Sequence, residues 1–201
     1  MVHINKDSFI GKGHHREVHI HPDNPNRCIK IVVDLTQDPG EEEKEKSYYR
    51  HLQKRNISWH MLPRYHGDIM TNLGTGSVFD LITNIDGSVA KTLGFYLQSN
   101  ELTHTHQQQL KKGLQNLKEY LLTQRILTQG LAHRNIVCQI TQTGDFNLCV
   151  VDNIGNSEFI PLSQLFRFRA EKKINKKWQR FESKLLTEFA DNKALPLVLA
   201  N

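Results

Sequence analysis

The residues of this sequence able to do chemistry together are a lysine among apolar neighbours, a glutamate on a helix, an asparagine, and an aspartate. Lys30 stands in Cys28-Ile-Lys-Ile-Val32. A bare ammonium buried in a strand is costly, so an inward-facing Lys30 needs an anionic partner. Glu45 is a suitable one; the plain alternative is a strand lysine that points to solvent. Gly11-Lys12-Gly13 offers a turn whose missing side chains let backbone amides approach an anion, although an ordinary hairpin turn has the same composition. Asn135, in Asn-Ile-Val-Cys, and Asp152, in Val-Val-Asp-Asn, supply an amide oxygen and a carboxylate oxygen. Such a pair suits Mg²⁺, a hard cation that takes oxygen ligands and keeps its waters. An Asn that caps a turn and an Asp that ends a strand would need no metal.

The elements that must position these groups follow from the pattern. Ser8–Ile20 holds a glycine-punctuated turn, and Cys28–Val33 and Ser77–Ile82 are short apolar runs, all expected as strands. Gly40 to Leu52 ends in a helical pattern that sets Glu45, Tyr48, Tyr49 and Leu52 on one face. A turn at Ile85-Asp86-Gly87 divides the chain into an N-terminal β-rich part, 1–86, and a helical part, 87–201. In the second part, Leu110, Leu114, Leu117 and Leu121 predict an amphipathic helix over Gln107–Gln124. Asn135–Ile140 and Asn147–Val151, joined by Thr-Gly-Asp, predict a hairpin that brings Asn135 and Asp152 together at its ends. Pro161 marks a helix start. Beyond it, Ile174, Trp178, Phe181, Leu185 and Phe189 form an apolar stripe.

The bulk composition narrows the classes. With 201 residues and 38% hydrophobic content the chain is expected to fold as one compact domain or two small lobes. No run of 18 apolar residues would span a membrane, and the opening residues lack a signal-type apolar core. Cys28, Cys138 and Cys149 are odd in number, lack CxxC spacing and sit among apolar neighbours, as reduced cytoplasmic thiols do. The net charge is +5, yet residues 164–184 alone carry +6. That segment is expected either as a solvated cationic face or as the docking point of an anionic partner such as nucleic acid or a membrane surface. His14, His15, His19 and His21 are expected as exposed polar residues. Asp68, Asp80 and Asp86 are expected as turn or strand-end residues, with cleft carboxylates as the alternative and, for Asp86, an approach to the ribose or adenine rim of a nucleotide.

The order of parts resembles a protein kinase: glycine turn, strand lysine, helix glutamate, hinge-like turn, long helix, loop asparagine, hairpin, aspartate. By that resemblance Lys30 and Glu45 match the pair that holds ATP phosphates, and Asn135 and Asp152 match the metal-holding residues. The departures are specific. Arg16 stands where a third glycine would be, and Asn153 replaces the Phe after the metal aspartate. Gly130 occupies the position of the catalytic aspartate, and Ala132 that of the lysine two places on. A rival alignment takes His133-Arg134-Asn135 as the catalytic triplet but leaves Ile140 at the metal asparagine.

Six blocks, in order, are similar to those of the PhoP regulatory network protein YrbL family. They are Gly11-Lys-Gly-His-His-Arg16, Arg27-Cys-Ile-Lys-Ile-Val32, Pro63-Arg-Tyr-His-Gly67, Gly74-Thr-Gly76, Asn135-Ile-Val-Cys138, and Asp152-Asn-Ile-Gly155 with Phe159-Ile-Pro-Leu162. The resemblance implies a bacterial, cytoplasmic, kinase-like protein. The expected fold is α+β and two-lobed, protein-kinase-like, with a shortened C-terminal lobe. The expected ligands are ATP and Mg²⁺, bound by Gly11, Gly13, Lys30 and Glu45 on the phosphate side and by Asn135 and Asp152 on the metal side. Partners are a nucleotide and an unidentified substrate or regulatory protein. With Gly130 at the base position, an atypical phosphotransferase, a pseudokinase that acts as a binding module, and a nucleic-acid-associated regulator all stay open.

Overall fold

The computed structural model describes residues 1–13, 15–33, 39–155 and 167–200. They form a mixed α+β protein of two compact units, Met1–Trp59 with Pro63–Ile82, and His60–Leu62 with Thr83–Asn201. The expected helix start at Pro161, the Phe159 block and His14 lie outside the described residues.

The first unit is a five-stranded antiparallel sheet with one helix. Strands β1 (Phe9–Lys12), β2 (Arg16–His21), β3 (Asn24–Val32), β4 (Tyr65–Thr71) and β5 (Gly74–Asp80) lie in the order β1-β2-β3-β5-β4. The alternation of β3 sends Ile29 and Ile31 into an apolar cluster with Ile4 and Val78. Gly76 of β5 faces that cluster: a Cβ there would lie 2.4 Å from Ile29 Cγ2, so the close strand approach requires glycine. Cys28 and Lys30, on alternate positions of β3, point to the other face. Helix α1 (Pro39–Lys54) covers that face with Tyr48, Tyr49 and Leu52, all buried, and the Tyr49 ring meets Phe79 of β5 edge-on at 5.2 Å. A polar cluster fixes α1 further. Lys46 donates to Glu42 at 2.8 Å and to Asp68 at 2.9 Å, and the buried Ser77 hydroxyl donates to the same two carboxylates. Burial alone would raise the Asp68 carboxyl, but hydrogen bonds from Lys46, Ser77 and Tyr65 hold it below its ordinary range.

The second unit is mainly helical. A three-stranded antiparallel sheet, β6 (Lys91–Thr92), β7 (Ile136–Ile140) and β8 (Phe146–Val150), is joined by α2 (Leu93–Leu97), α3 (Asn100–Thr105), α4 (Gln107–Thr123), α5 (Arg167–Glu188) and α6 (Leu195–Leu199). The leucine stripe of α4 is buried, and Gly113 lets that helix close on β8, since a Cβ there would sit 2.5 Å from Leu148 Cδ1. Thr92 and Ser99 cap the short α2 and α3, accepting from the amides of Phe95 and Leu102. Ile174, Trp178, Phe181 and Leu185 of α5 are buried, as the stripe predicts, together with Ala170; Phe189 follows the end of the helix and is half-buried. The buried Asn192 side chain ties three helices together. It donates to Leu97 O at 2.8 Å and Thr103 Oγ1 at 2.7 Å and accepts from the amides of Ala194 and Leu195 at 3.1 Å.

Candidate functional site

In the first unit, Lys30 occupies the middle of β3, opposite Val18 on β2 and Ser77 on β5. The residue is only 7% exposed, and its ammonium lies over the Phe79 ring, 4.6 Å from the centroid. A solvent-pointing lysine does not describe it. Glu45, 5% exposed, reaches back from α1 toward the start of β2, where Arg16 donates to its carboxylate at 2.7 Å. Arg16 is the group missed on sequence alone. Read as a gap in a glycine pattern, it is one half of a buried ion pair.

Gly11 pairs with Val18, and the Gly13 amide donates to Arg16 O at 2.8 Å to close the turn. A Cβ at Gly11 would meet no described atom within 4 Å, and one at Gly13 only Arg16 O at 3.6 Å. Neither glycine has the positive φ that would demand one. Packing and backbone therefore leave these glycines unexplained, in contrast to Gly76.

In the second unit, Asn135 and Asp152 flank the open end of the β7–β8 hairpin. Ile136 pairs with Val150, and one residue further out the Val151 amide donates to Asn135 O at 2.9 Å. Asn135 closes a 3₁₀ turn, His133–Asn135, through its amide to Ala132 O at 2.9 Å. Asn153 follows Asp152 with φ of 60°, a conformation that asparagine tolerates better than most residues. Ile140, the metal position of the rival alignment, pairs with Phe146 at the turn end of the hairpin, away from Asp152. His133 of that alignment packs between helices. Its ring lies on Gly94 of α2, meets Phe189 edge-on at 5.0 Å, and stands 3.4 Å from Glu188 of α5. Burial holds its pKa below the ordinary histidine range, an effect that Glu188 opposes.

The loop that carries Gly130 runs beside the segment after Asp152. Gln129 N donates to Asn153 O at 2.7 Å, Gly155 N donates to Leu127 O at 3.0 Å, and Thr128 bridges Ile154. A Cβ at Gly130 would meet no described atom within 4 Å.

Asp68 corrects the expectation of a turn or strand-end role: it lies in the middle of β4, where it accepts from Lys46 and Ser77. Asp86 accepts from the amide and hydroxyl of Ser88, closing its own turn, and Asp80 accepts from Arg64 N and His66 at the end of β5. His19 corrects the expectation of exposure: it is buried, edge-on to Phe9 at 5.7 Å, with Ser8 Oγ at 3.1 Å. On α5, Arg169, Lys172, Lys176 and Arg180 are exposed at helical spacing. Lys177 departs from that cationic face and turns toward the Gly130 loop. Its ammonium donates to Thr128 O and to Gln129 O. Among the described residues no helix is long and apolar enough to cross a membrane, and no group of three or more His, Cys, Asp or Glu is placed to hold a metal. An amide and a carboxylate completed by water and phosphate oxygens would not need such a group.

The three cysteines are buried with free thiols. Burial raises the Cys28 thiol to about 11, although Lys30 opposes the shift, and raises Cys149 to about 12; Cys138 is pushed up by the same cause. A thiolate being the reactive form, native protein at pH 8 is expected to give almost no reaction with Ellman's reagent, and three equivalents after unfolding. Fast native labelling would contradict this packing.

Fold and site together define a mixed α+β protein with a buried lysine and a glutamate–arginine ion pair in one unit and, in the other, a hairpin whose open end is flanked by Asn135 and Asp152. The chain belongs to the PhoP regulatory network protein YrbL family, whose sequence model matches residues 2–186. It is 37% identical over 183 residues to the protein called "Uncharacterized protein YrbL" of Escherichia coli (strain K12), covering 90% of this chain and 86% of that one. The protein of the same name from Shigella flexneri gives the same figures.

Proposed function

We propose that this protein binds Mg·ATP with a protein-kinase-like arrangement and acts as an atypical phosphotransferase on a substrate other than a conventional peptide. Gly11 and Gly13 would admit the phosphates to the backbone. Lys30, balanced by Glu45, would neutralise phosphate charge, and Asn135 and Asp152 would hold Mg²⁺, which when bound screens the phosphate oxygens. The supporting observation is the hairpin end. The Val151 amide donates to Asn135 O at 2.9 Å, so Asn135 lies beside the residue before Asp152, although 17 positions separate Asn135 from Asp152 in the sequence. An amide oxygen and a carboxylate oxygen are donors of the kind Mg²⁺ prefers. Gly11 further supports the reading, since among the described residues no atom within 4 Å of a Cβ there accounts for glycine.

A second reading has its own observation. Gly130 can neither accept a proton nor orient a hydroxyl, so a pseudokinase that binds nucleotide without transfer fits the same site. Thermal denaturation with ATP or ADP, with and without Mg²⁺, tests nucleotide use in either form. A ligand at 100 times its dissociation constant adds about 2.7 kcal/mol of stability. We expect stabilisation of that order with Mg·ATP, and its loss in Asp152→Ala. No shift at millimolar nucleotide would point instead to an empty-site binding module.

A further inference from the structure

We propose that Lys177 is a positioning residue for this site: from α5 it fixes the loop of residues 127–130 against the segment that follows Asp152. The inference rests on the Mg·ATP reading above. Its basis is the way the loop satisfies its backbone. Leu127 O accepts from Gly155 N at 3.0 Å, and Gln129 N donates to Asn153 O at 2.7 Å. The carbonyls of Thr128 and Gln129 accept from the Lys177 ammonium, the latter at 2.7 Å. Three successive carbonyls are thus held, one by the Asp152 segment and two by a single side chain 48 residues away in sequence.

Such a contact has consequences that a solvated lysine lacks. Thr128 is only 4% exposed, so loss of Lys177 leaves its carbonyl little access to water, and an unmet buried acceptor is costly. The strain falls on two segments at once. One runs from the clamped carbonyls through Gly130 and Ala132 to Asn135, whose amide is bonded to Ala132 O. The other runs from Asn153 back to Asp152. A loop free to shift would therefore loosen both proposed metal residues, neither of which Lys177 needs to touch. The charge contributes as well, since a fixed cation beside this loop favours an anionic ligand. Lys177 lies three residues after Ile174 and four before Phe181, on the edge of the buried stripe, which lets its stem follow the helix surface to the loop.

The test compares wild type with Lys177→Gln, Lys177→Arg and the exposed neighbour Lys176→Gln, each checked for native circular dichroism. Two quantities are read: exchange of the Gln129 and Gly155 amides without ligand, and affinity for ATP with and without Mg²⁺. Lys177→Gln is expected to speed exchange at both amides and to weaken Mg·ATP binding about 10-fold, the usual scale for groups that orient metal ligands. Metal-free ATP binding should change much less. Lys177→Arg should restore part of the affinity, and Lys176→Gln should match wild type. Unchanged exchange, or faster exchange with unchanged Mg·ATP affinity, overturns the proposal while leaving the Mg·ATP reading intact. A wild type that binds no nucleotide defeats that reading itself, and the positioning role with it. Should Lys177→Gln fail to fold, Lys177→Arg carries the test alone, and wild-type metal dependence with no partial loss would count against the proposal.

Discussion

Replacing Gly130 with aspartate is expected to raise the rate at which the protein splits Mg·ATP by about 100-fold, the lower end of what a placed general base supplies. The position can take the side chain: a Cβ there meets no described atom within 4 Å, and the residue lacks a positive φ. It lies in the loop that bonds to Asn153 through Gln129 N, so a carboxylate would be carried by the segment that runs alongside Asp152. Water would serve as acceptor, which makes phosphate release the readout and removes any need to know the substrate. Gly130→Asn, of the same size without the charge, should gain nothing. If Gly130→Asp retains nucleotide binding and hydrolysis does not rise, Gly130 is not the base position, and the alignment that places it there is wrong.

The second large effect concerns Arg16. A glycine here would complete the glycine-rich pattern, and on sequence alone Arg16→Gly would look like a repair. The structure predicts the reverse. Arg16 and Glu45 pair at 2.7 Å with side chains 15% and 7% exposed, so removing the guanidinium leaves a carboxylate largely out of water. Losing one partner of a buried pair typically costs 3–5 kcal/mol; with Arg16 partly exposed and Lys30 proposed as a second counter-charge to Glu45, we expect about 2 kcal/mol. Chemical denaturation of the variant checks the value. Arg16→Lys should recover only part of it, because the ammonium cannot reproduce the planar fork of the guanidinium. A neutral Arg16→Gly would mean that the pair adds nothing and that Glu45 is satisfied elsewhere.

Much of the fold was legible because its signals are local. The face of Glu45, Tyr48, Tyr49 and Leu52 and the leucine stripe of α4 are 3.6-residue patterns, and both helices occur within a residue or two of the expected limits. The β7–β8 hairpin follows from two apolar runs around Thr143-Gly144-Asp145. Strand β4 left no such trace. His66, Gly67 and Asp68 interrupt its apolar pattern because Asp68 bonds Lys46 and Ser77 rather than filling a core. Helices α2, α3 and α6, five or six residues long, are too short for periodicity to reveal and depend on caps and on Asn192.

At the site, residue types were legible and partners were not. Lys30 and Glu45 could be named as inward groups, but the meeting of Arg16 with Glu45 spans 29 residues and the reach of Lys177 to Gln129 spans 48. Such pairings are set by strand register and helix packing, which no local pattern encodes. The edge position of Lys177 between Ile174 and Phe181 was the one available hint. His19 was misjudged for a related reason: its strand places it beside Phe9 and Ser8, and burial follows from that pairing rather than from residue type.

If the protein binds nucleotide through its lysine and its hairpin-end oxygens, each group leaves its own mark on the affinity. Calorimetric titration of ATP into the purified chain, with and without Mg²⁺, measures this directly for wild type, Lys30→Met and Asp152→Ala. The expected result is one-to-one binding by wild type, tighter with Mg²⁺, with affinity lost in Lys30→Met and the metal dependence lost in Asp152→Ala. Absence of binding by wild type, or binding that both substitutions leave unchanged, would contradict it.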